Sequence, residues 1–146
     1  MRKASSFTDR RGFSLIEAVL TIAVFGFLVT ALAGGYAAGR ATAAAAGLRT
    51  RAVFLAEEGL EAVRALRDQN FANIPDGTYG LTLSSGVWRL TSAPETVDVF
   101  TRRLTITTLS ANRRQVTALV SWSERPGYDR TVTLASELTN WRTRTR

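Results

Sequence analysis

Residues 13–39 read FSLIEAVLTIAVFGFLVTALAGGYAAG, twenty-seven positions with a single charged side chain, Glu17. A bilayer core about 30 Å thick takes about 20 helical residues at ~1.5 Å each, so this run is long enough to cross it. The internal Gly26, Gly34 and Gly35 each lower helix propensity by roughly 1 kcal/mol relative to Ala in water, but in a packed helix they let backbones approach. Upstream lies a polar, basic stretch, residues 1–12, with Arg2, Lys3, Arg10 and Arg11. Positive charge flanking an apolar span is retained in the cytoplasm, which predicts a cytoplasmic amino terminus.

Downstream, residues 40–70 contain no Pro and many strong helix formers, notably Ala43–Ala46 and LAEEGLEAVRALRDQ at 55–69. Leu48, Ala52, Leu55, Gly59, Ala62, Val63 and Leu66 recur at three- and four-residue intervals and mark one apolar face. Glu57, Glu58, Glu61, Arg64 and Arg67 fall mostly outside that stripe. Glu61 with Arg64, and Arg64 with Asp68, are spaced to pair along the helix. Asn70, Asn73 and Pro75-Asp76-Gly77 predict its end. The expectation is one helix from about Phe13 to Gln69, apolar first and amphipathic later.

Beyond residue 71 the period changes to two. Stretches 79–84, 86–91, 97–109, 115–123 and 128–138 are rich in Val, Thr, Leu, Ile and aromatics, with apolar residues alternating with polar ones. Such alternation describes an antiparallel sheet covered on one face, and the 48–66 stripe is the natural cover. Turns are predicted at Ser85-Gly86, Ala111-Asn112 and Pro126-Gly127. The fold class is therefore α+β, with four segments: a leader (1–12), a membrane or filament-core helix (13–39), its amphipathic continuation (40–70), and a sheet domain with a basic end (71–146).

Composition narrows the chemistry. The chain has no Cys and no His, so thiol nucleophiles, disulfides, soft-ligand metal sites and His-based triads are excluded. Asp129 and Glu124 flank a turn without a paired acidic motif, and Gly34-Gly35 lacks the Lys of a phosphate loop. No enzyme activity, metal or cofactor is expected. The formal charge is +7, and four of the 19 basic residues with one of the 12 acids lie in the first twelve positions. The chain beyond them carries about +4, enough for weak attraction to anionic polymers or headgroups.

The segment Arg11-Gly12-Phe13-Ser14-Leu15-Ile16-Glu17 resembles the processing site of type IV prepilins and pseudopilins: a short basic leader ending in Gly, then Phe, then Glu at a fixed offset, heading an apolar helix. The likeness is close over residues 10–35 and architectural elsewhere. It implies cleavage between Gly12 and Phe13 by a prepilin peptidase and N-methylation of Phe13. It further implies assembly through Glu17 into a filament of pilin subunits above an inner-membrane assembly platform. Ala56–Asp68 is most similar to minor pilins. A type II secretion pseudopilin and a DNA-uptake pilin are the alternatives. The chain departs from many major pilins in having no Pro between Phe13 and Asn73 and no disulfide.

Physical chemistry supports the same residues. Gly offers a peptidase an unobstructed backbone. A carboxylate in an apolar helix calls for a partner, and a free amine is a suitable one. That amine can belong to the same chain, four positions back, or to a neighbour. Two plainer readings of the apolar run compete, a secretory signal cut after Ala31-Leu32-Ala33 and a simple membrane anchor. At the other end, Trp141 with Arg142, Arg144 and Arg146 could contact phosphates and unstacked bases, although a solvated or headgroup-facing charge run is the reading preferred for it.

Overall fold

A computed structural model describes Gly12 and residues 14–141. A single helix, α1 (Leu15–Gln69, 55 residues), is followed by a short 3-10 helix, Phe71–Asn73, and six strands. The strands are β1 (Gly77–Ser84), β2 (Val87–Thr91), β3 (Glu95–Val97), β4 (Phe100–Ser110), β5 (Arg113–Arg125) and β6 (Tyr128–Thr139). This is the α+β architecture that the two periodicities predict. By its contacts the chain forms two compact units, Met1–Ala43 and Ala44–Arg146.

In the second unit the sheet runs in the order β2-β1-β4-β5-β6, antiparallel throughout. One edge of β4 is shared: Arg102 to Phe100 pair with β3, and Leu104 to Ile106 pair with β1. The sequence expectation of one strand over 97–109 is thus corrected. Val97 pairs directly with Phe100, leaving Asp98 and Val99 as a two-residue turn with Asp98 at φ 58. Asp tolerates that left-handed conformation, but Asp-Val carries no Gly, Pro or Asn to announce it. The other three turns lie where predicted, with Ser84 pairing to Val87, Ser110 to Arg113 and Arg125 to Tyr128.

The core forms between α1 and one sheet face. Ala52, Ala56, Leu60, Ala62, Val63 and Leu66 meet Phe100, Leu104, Ile106, Val116, Ala118, Val120, Trp122 and Leu138. Small residues on the helix bring its backbone close to the strands, and Phe100 packs on Trp122 with ring centroids 5.8 Å apart. The buried arc is rotated slightly from the predicted stripe. Leu48 and Leu55 are only half-buried, while Ala56 and Leu60 lie inside. Of the two expected ion pairs on α1, Arg64 with Glu61 forms at 2.9 Å. Arg64 also reaches Ser136, while Asp68 takes Arg67 at 2.8 Å.

One member of the inward row on β4 is charged. Phe100, Leu104 and Ile106 share their face with Arg102, whose side chain is 1% exposed. Its guanidinium donates to Glu95 Oε2 (2.9 and 2.5 Å), Glu58 Oε2 (2.9 Å) and the Leu55 carbonyl (2.7 Å). Glu95 stands directly opposite Arg102 in the β3–β4 ladder, so both side chains leave the same face. Gly59 makes the crossing possible: a Cβ there would lie 3.1 Å from Leu104 Cδ2 and 3.2 Å from Arg102 Cδ.

The far end of α1 is clamped in a similar way. Asn70 caps the 3-10 helix through Ala72 N (2.9 Å). Arg114 of β5 donates to the Phe71 and Ile74 carbonyls and stacks 4.5 Å from the Phe71 ring centroid. The cluster at Arg102 is the stronger determinant, because breaking a desolvated pair strands its partners. Arg102→Met in detergent-solubilised protein should lower unfolding free energy by about 2–3 kcal/mol, discounted from the fully buried case because Glu58 keeps contact with water. Adding Glu58→Gln and Glu95→Gln should recover part of the loss. An unchanged denaturation midpoint for Arg102→Met would show that the cluster does not hold helix to sheet.

Candidate functional site

The residues singled out at the amino end sit on the first unit. Gly12 is exposed, and a Cβ built on it would meet nothing within 4 Å, so its backbone is open to approach. Phe13 lies outside the described residues. The helix starts immediately after, with Ala18 N donating to the Ser14 carbonyl at 3.1 Å. Glu17 therefore falls in the first turn, its side chain exposed. There the unpaired N–H groups and the helix dipole favour a negative charge by a few tenths of a kcal/mol to about 1.

Around and beyond Glu17 the helix surface is apolar and uncovered. Leu15, Ile16, Leu20, Val24, Phe25 and Leu28 are all more than half exposed. Leu20, Thr21, Val24, Phe25 and Leu28 line one shallow groove along it. Among the described residues, α1 is the one helix long and apolar enough to cross a membrane. None of its most apolar window is covered by the protein itself.

Its few polar groups are handled within the helix. Thr21 Oγ1 donates to the Glu17 carbonyl (2.7 Å), Thr30 to Gly26 (2.8 Å) and Thr42 to Ala38 (3.1 Å). Each hydroxyl is satisfied one turn back and needs no water, as an apolar surrounding requires. The sequence reading did not single out these threonines; their signal was Thr at isolated positions in an apolar run. Arg40 sits over Tyr36, 5.8 Å from its ring centroid. An aromatic beside a cation at the end of an apolar stretch is the side-chain chemistry of a membrane–water interface.

Residues 1–33 match the prokaryotic N-terminal methylation motif. The chain carries the type IV pilin and pseudopilin signature. No curated protein and no solved structure matches it. The signature belongs to structural subunits, and in general terms implies processing by a prepilin peptidase and assembly with pilin-type partners. With the single apolar helix it indicates membrane anchoring.

At the other end, Trp141 is 59% exposed, and its Nε1 donates to Asp68 Oδ1 at 3.3 Å, against the last turn of α1. Arg142, Arg144 and Arg146 lie outside the described residues. The structure also yields a depth prediction for the apolar part of α1. Because the chain lacks Cys, single thiols report without background. In native membranes Leu28→Cys should resist a water-soluble maleimide, and Thr50→Cys should react fully. Equal labelling of both would mean that the apolar helix is not embedded.

Proposed function

We propose that this chain is a filament subunit, a minor pilin of a type IV pilus-like fibre, assembled through α1 after removal of residues 1–12. The observation that carries this reading is the methylation motif heading an apolar helix whose surface the chain leaves uncovered. A prepilin peptidase cuts between Gly12 and Phe13 on the cytoplasmic side, where the basic leader is retained, and Phe13 becomes the methylated terminus. The bilayer and then neighbouring pilins cover Leu15–Tyr36. The sheet domain lies outside the membrane, on the filament surface or tip. The similarity of Ala56–Asp68 to minor pilins supports the low-abundance role. A type II secretion pseudopilin would use the same helix, as would a DNA-uptake pilin whose Trp141, Arg142, Arg144 and Arg146 met nucleic acid.

Glu17 is the assembly determinant in this reading. Its carboxylate costs up to about 3 kcal/mol at the bilayer centre, so retention needs a benefit elsewhere. Attraction to the Phe13 amine of a preceding subunit, strengthened by low dielectric, supplies it. Glu17→Leu should be cut at Gly12, stay in the membrane and be depleted at least about tenfold from sheared filaments, the equivalent of ~1.4 kcal/mol in subunit docking. Glu17→Gln separates charge from size and should show the same depletion. Normal incorporation of both variants would remove the carboxylate from the assembly step.

A further inference from the structure

The β1–β2 hairpin carries its inward row past the end of the core. Leu81 is 3% exposed, yet Leu83, on the same face and opposite Trp88, is 57% exposed. Trp88 and Leu90 are themselves only half-buried. Between this face and the last turn of α1 lies an open cleft of about 510 Å³, within the ~300–1,000 Å³ range of small-ligand sites. Leu66, Gln69 and Asn73 line it from the helix side, and Tyr79, Trp88 and Arg89 from the hairpin. One ring is fixed before any ligand arrives. Tyr79 Oη donates to the Asp76 carbonyl at 3.0 Å, and Gly77 leaves it room, since a Cβ there would lie 2.7 Å from that oxygen.

The polar side chains of the cleft are idle. Arg51, Arg64, Arg67, Arg102 and Arg114 all have partners, but among the described residues Arg89 has no hydrogen bond or ion pair. The Gln69 and Asn73 carboxamides and the Trp88 indole N–H are likewise unbonded. Their chemistry is selective. A carboxamide both donates and accepts, which matches a hydroxyl group, whereas a phosphate calls for donors alone and a cation for acceptors. Trp and Tyr rings offer flat apolar faces with a polar edge, which suits the C–H face of a pyranose. No acidic side chain lines the cleft, and the arginine fork is shaped for a carboxylate. A peptide strand takes its affinity from main-chain groups, such as those on the outer edge of β2, the end strand of the sheet, and leaves the two carboxamides without a role.

We propose that this cleft binds a sugar ring bearing a carboxylate, such as one uronic acid unit of a polysaccharide. The pyranose stacks on the Trp88 and Tyr79 rings, its hydroxyls bond the Gln69 and Asn73 carboxamides, and its carboxylate takes Arg89. The basic excess of the chain beyond residue 12 favours the approach of such an anion. The inference goes beyond the filament reading and does not rest on it. Every residue it uses lies between Leu66 and Leu90, so binding can be measured on unassembled protein.

The test uses the full-length chain in a sugar-free detergent, with α-1,4-linked trigalacturonate as ligand and α-1,4-linked galactotriose as its neutral counterpart. Calorimetric titration should show saturable binding, at least about fivefold tighter for the uronate. Arg89→Gln should remove that preference and leave the affinity for the neutral sugar unchanged. Gln69→Ala and Asn73→Ala, both at exposed positions, should each weaken both sugars by at least about threefold with no change in denaturation midpoint. Trp88→Ala should abolish binding of either. Absence of saturable binding to both sugars overturns the proposal. So does uronate binding that persists undiminished in Arg89→Gln and Asn73→Ala, which would mark diffuse attraction to a basic protein. Equal affinity of the native chain for the two sugars overturns the carboxylate assignment. Amide protection of Val87–Thr91 by an extended peptide, with no sugar bound, would replace the proposal by strand addition. None of these outcomes bears on filament incorporation, which the Glu17 variants test separately.

Discussion

A guanidinium shut away from water must find acceptors for its donors, and Arg102 finds them on two other elements, α1 and β3. It leaves β4, crosses the α1 backbone where Gly59 has no side chain, and ends between Glu95, Glu58 and the Leu55 carbonyl. Much of the local architecture follows from that demand. β3 is only three residues long, and its pairing with β4 sets Glu95 opposite Arg102. Gly59 costs roughly 1 kcal/mol of helix propensity, yet a β-branched side chain at that position would drive into Leu104 and the Arg102 stem. The small residues Ala52, Ala56 and Ala62 bring the helix near enough for the reach to succeed. Such a cluster fixes the register of helix against sheet more than it adds net stability, since a well-packed apolar replacement of the whole group can be nearly neutral.

The two parts of α1 follow opposite solvent rules with one backbone geometry. From Ala52 to Leu66 an apolar arc is buried by the sheet, and the exposed remainder is mostly charged, Phe54 apart. From Leu15 to Tyr36 the apolar side chains lie all around the axis and are uncovered. A helix that is apolar on every side needs a medium other than water, either lipid or other helices. Thr21, Thr30 and Thr42 conceal their hydroxyls on carbonyls of their own helix. Glu17 is the exception, a charge that no such internal device removes. A subunit that moves from bilayer to filament can exploit that exception, because the carboxylate is least comfortable in lipid and best satisfied beside an amine.

Much of this was legible in the sequence. The change of period from 3.6 to 2 near residue 71 separated helix from sheet, and the Gly12-Phe13 junction with Glu17 is a linear motif that needs no folding to be recognised. What escaped was long-range pairing. Alternation treats a polar residue in a strand as outward-facing. Arg102 nevertheless sits on the inward row, because its acceptors come from positions 55, 58 and 95. The split of the 97–109 stretch escaped because Asp98-Val99 carries no Gly, Pro or Asn and is flanked by strand-favouring residues on both sides.

The central claim is that the chain is cut and then built into a filament by its new amino terminus. Intact-mass and fragment-ion spectrometry on protein extracted from membranes and from sheared filaments tests this directly. The account predicts one species in both fractions, beginning at Phe13 and bearing a single added methyl group on its amine. A species retaining Met1 and residues 2–12 in the filament fraction, or one beginning at Gly34 after a secretory cut, would contradict it.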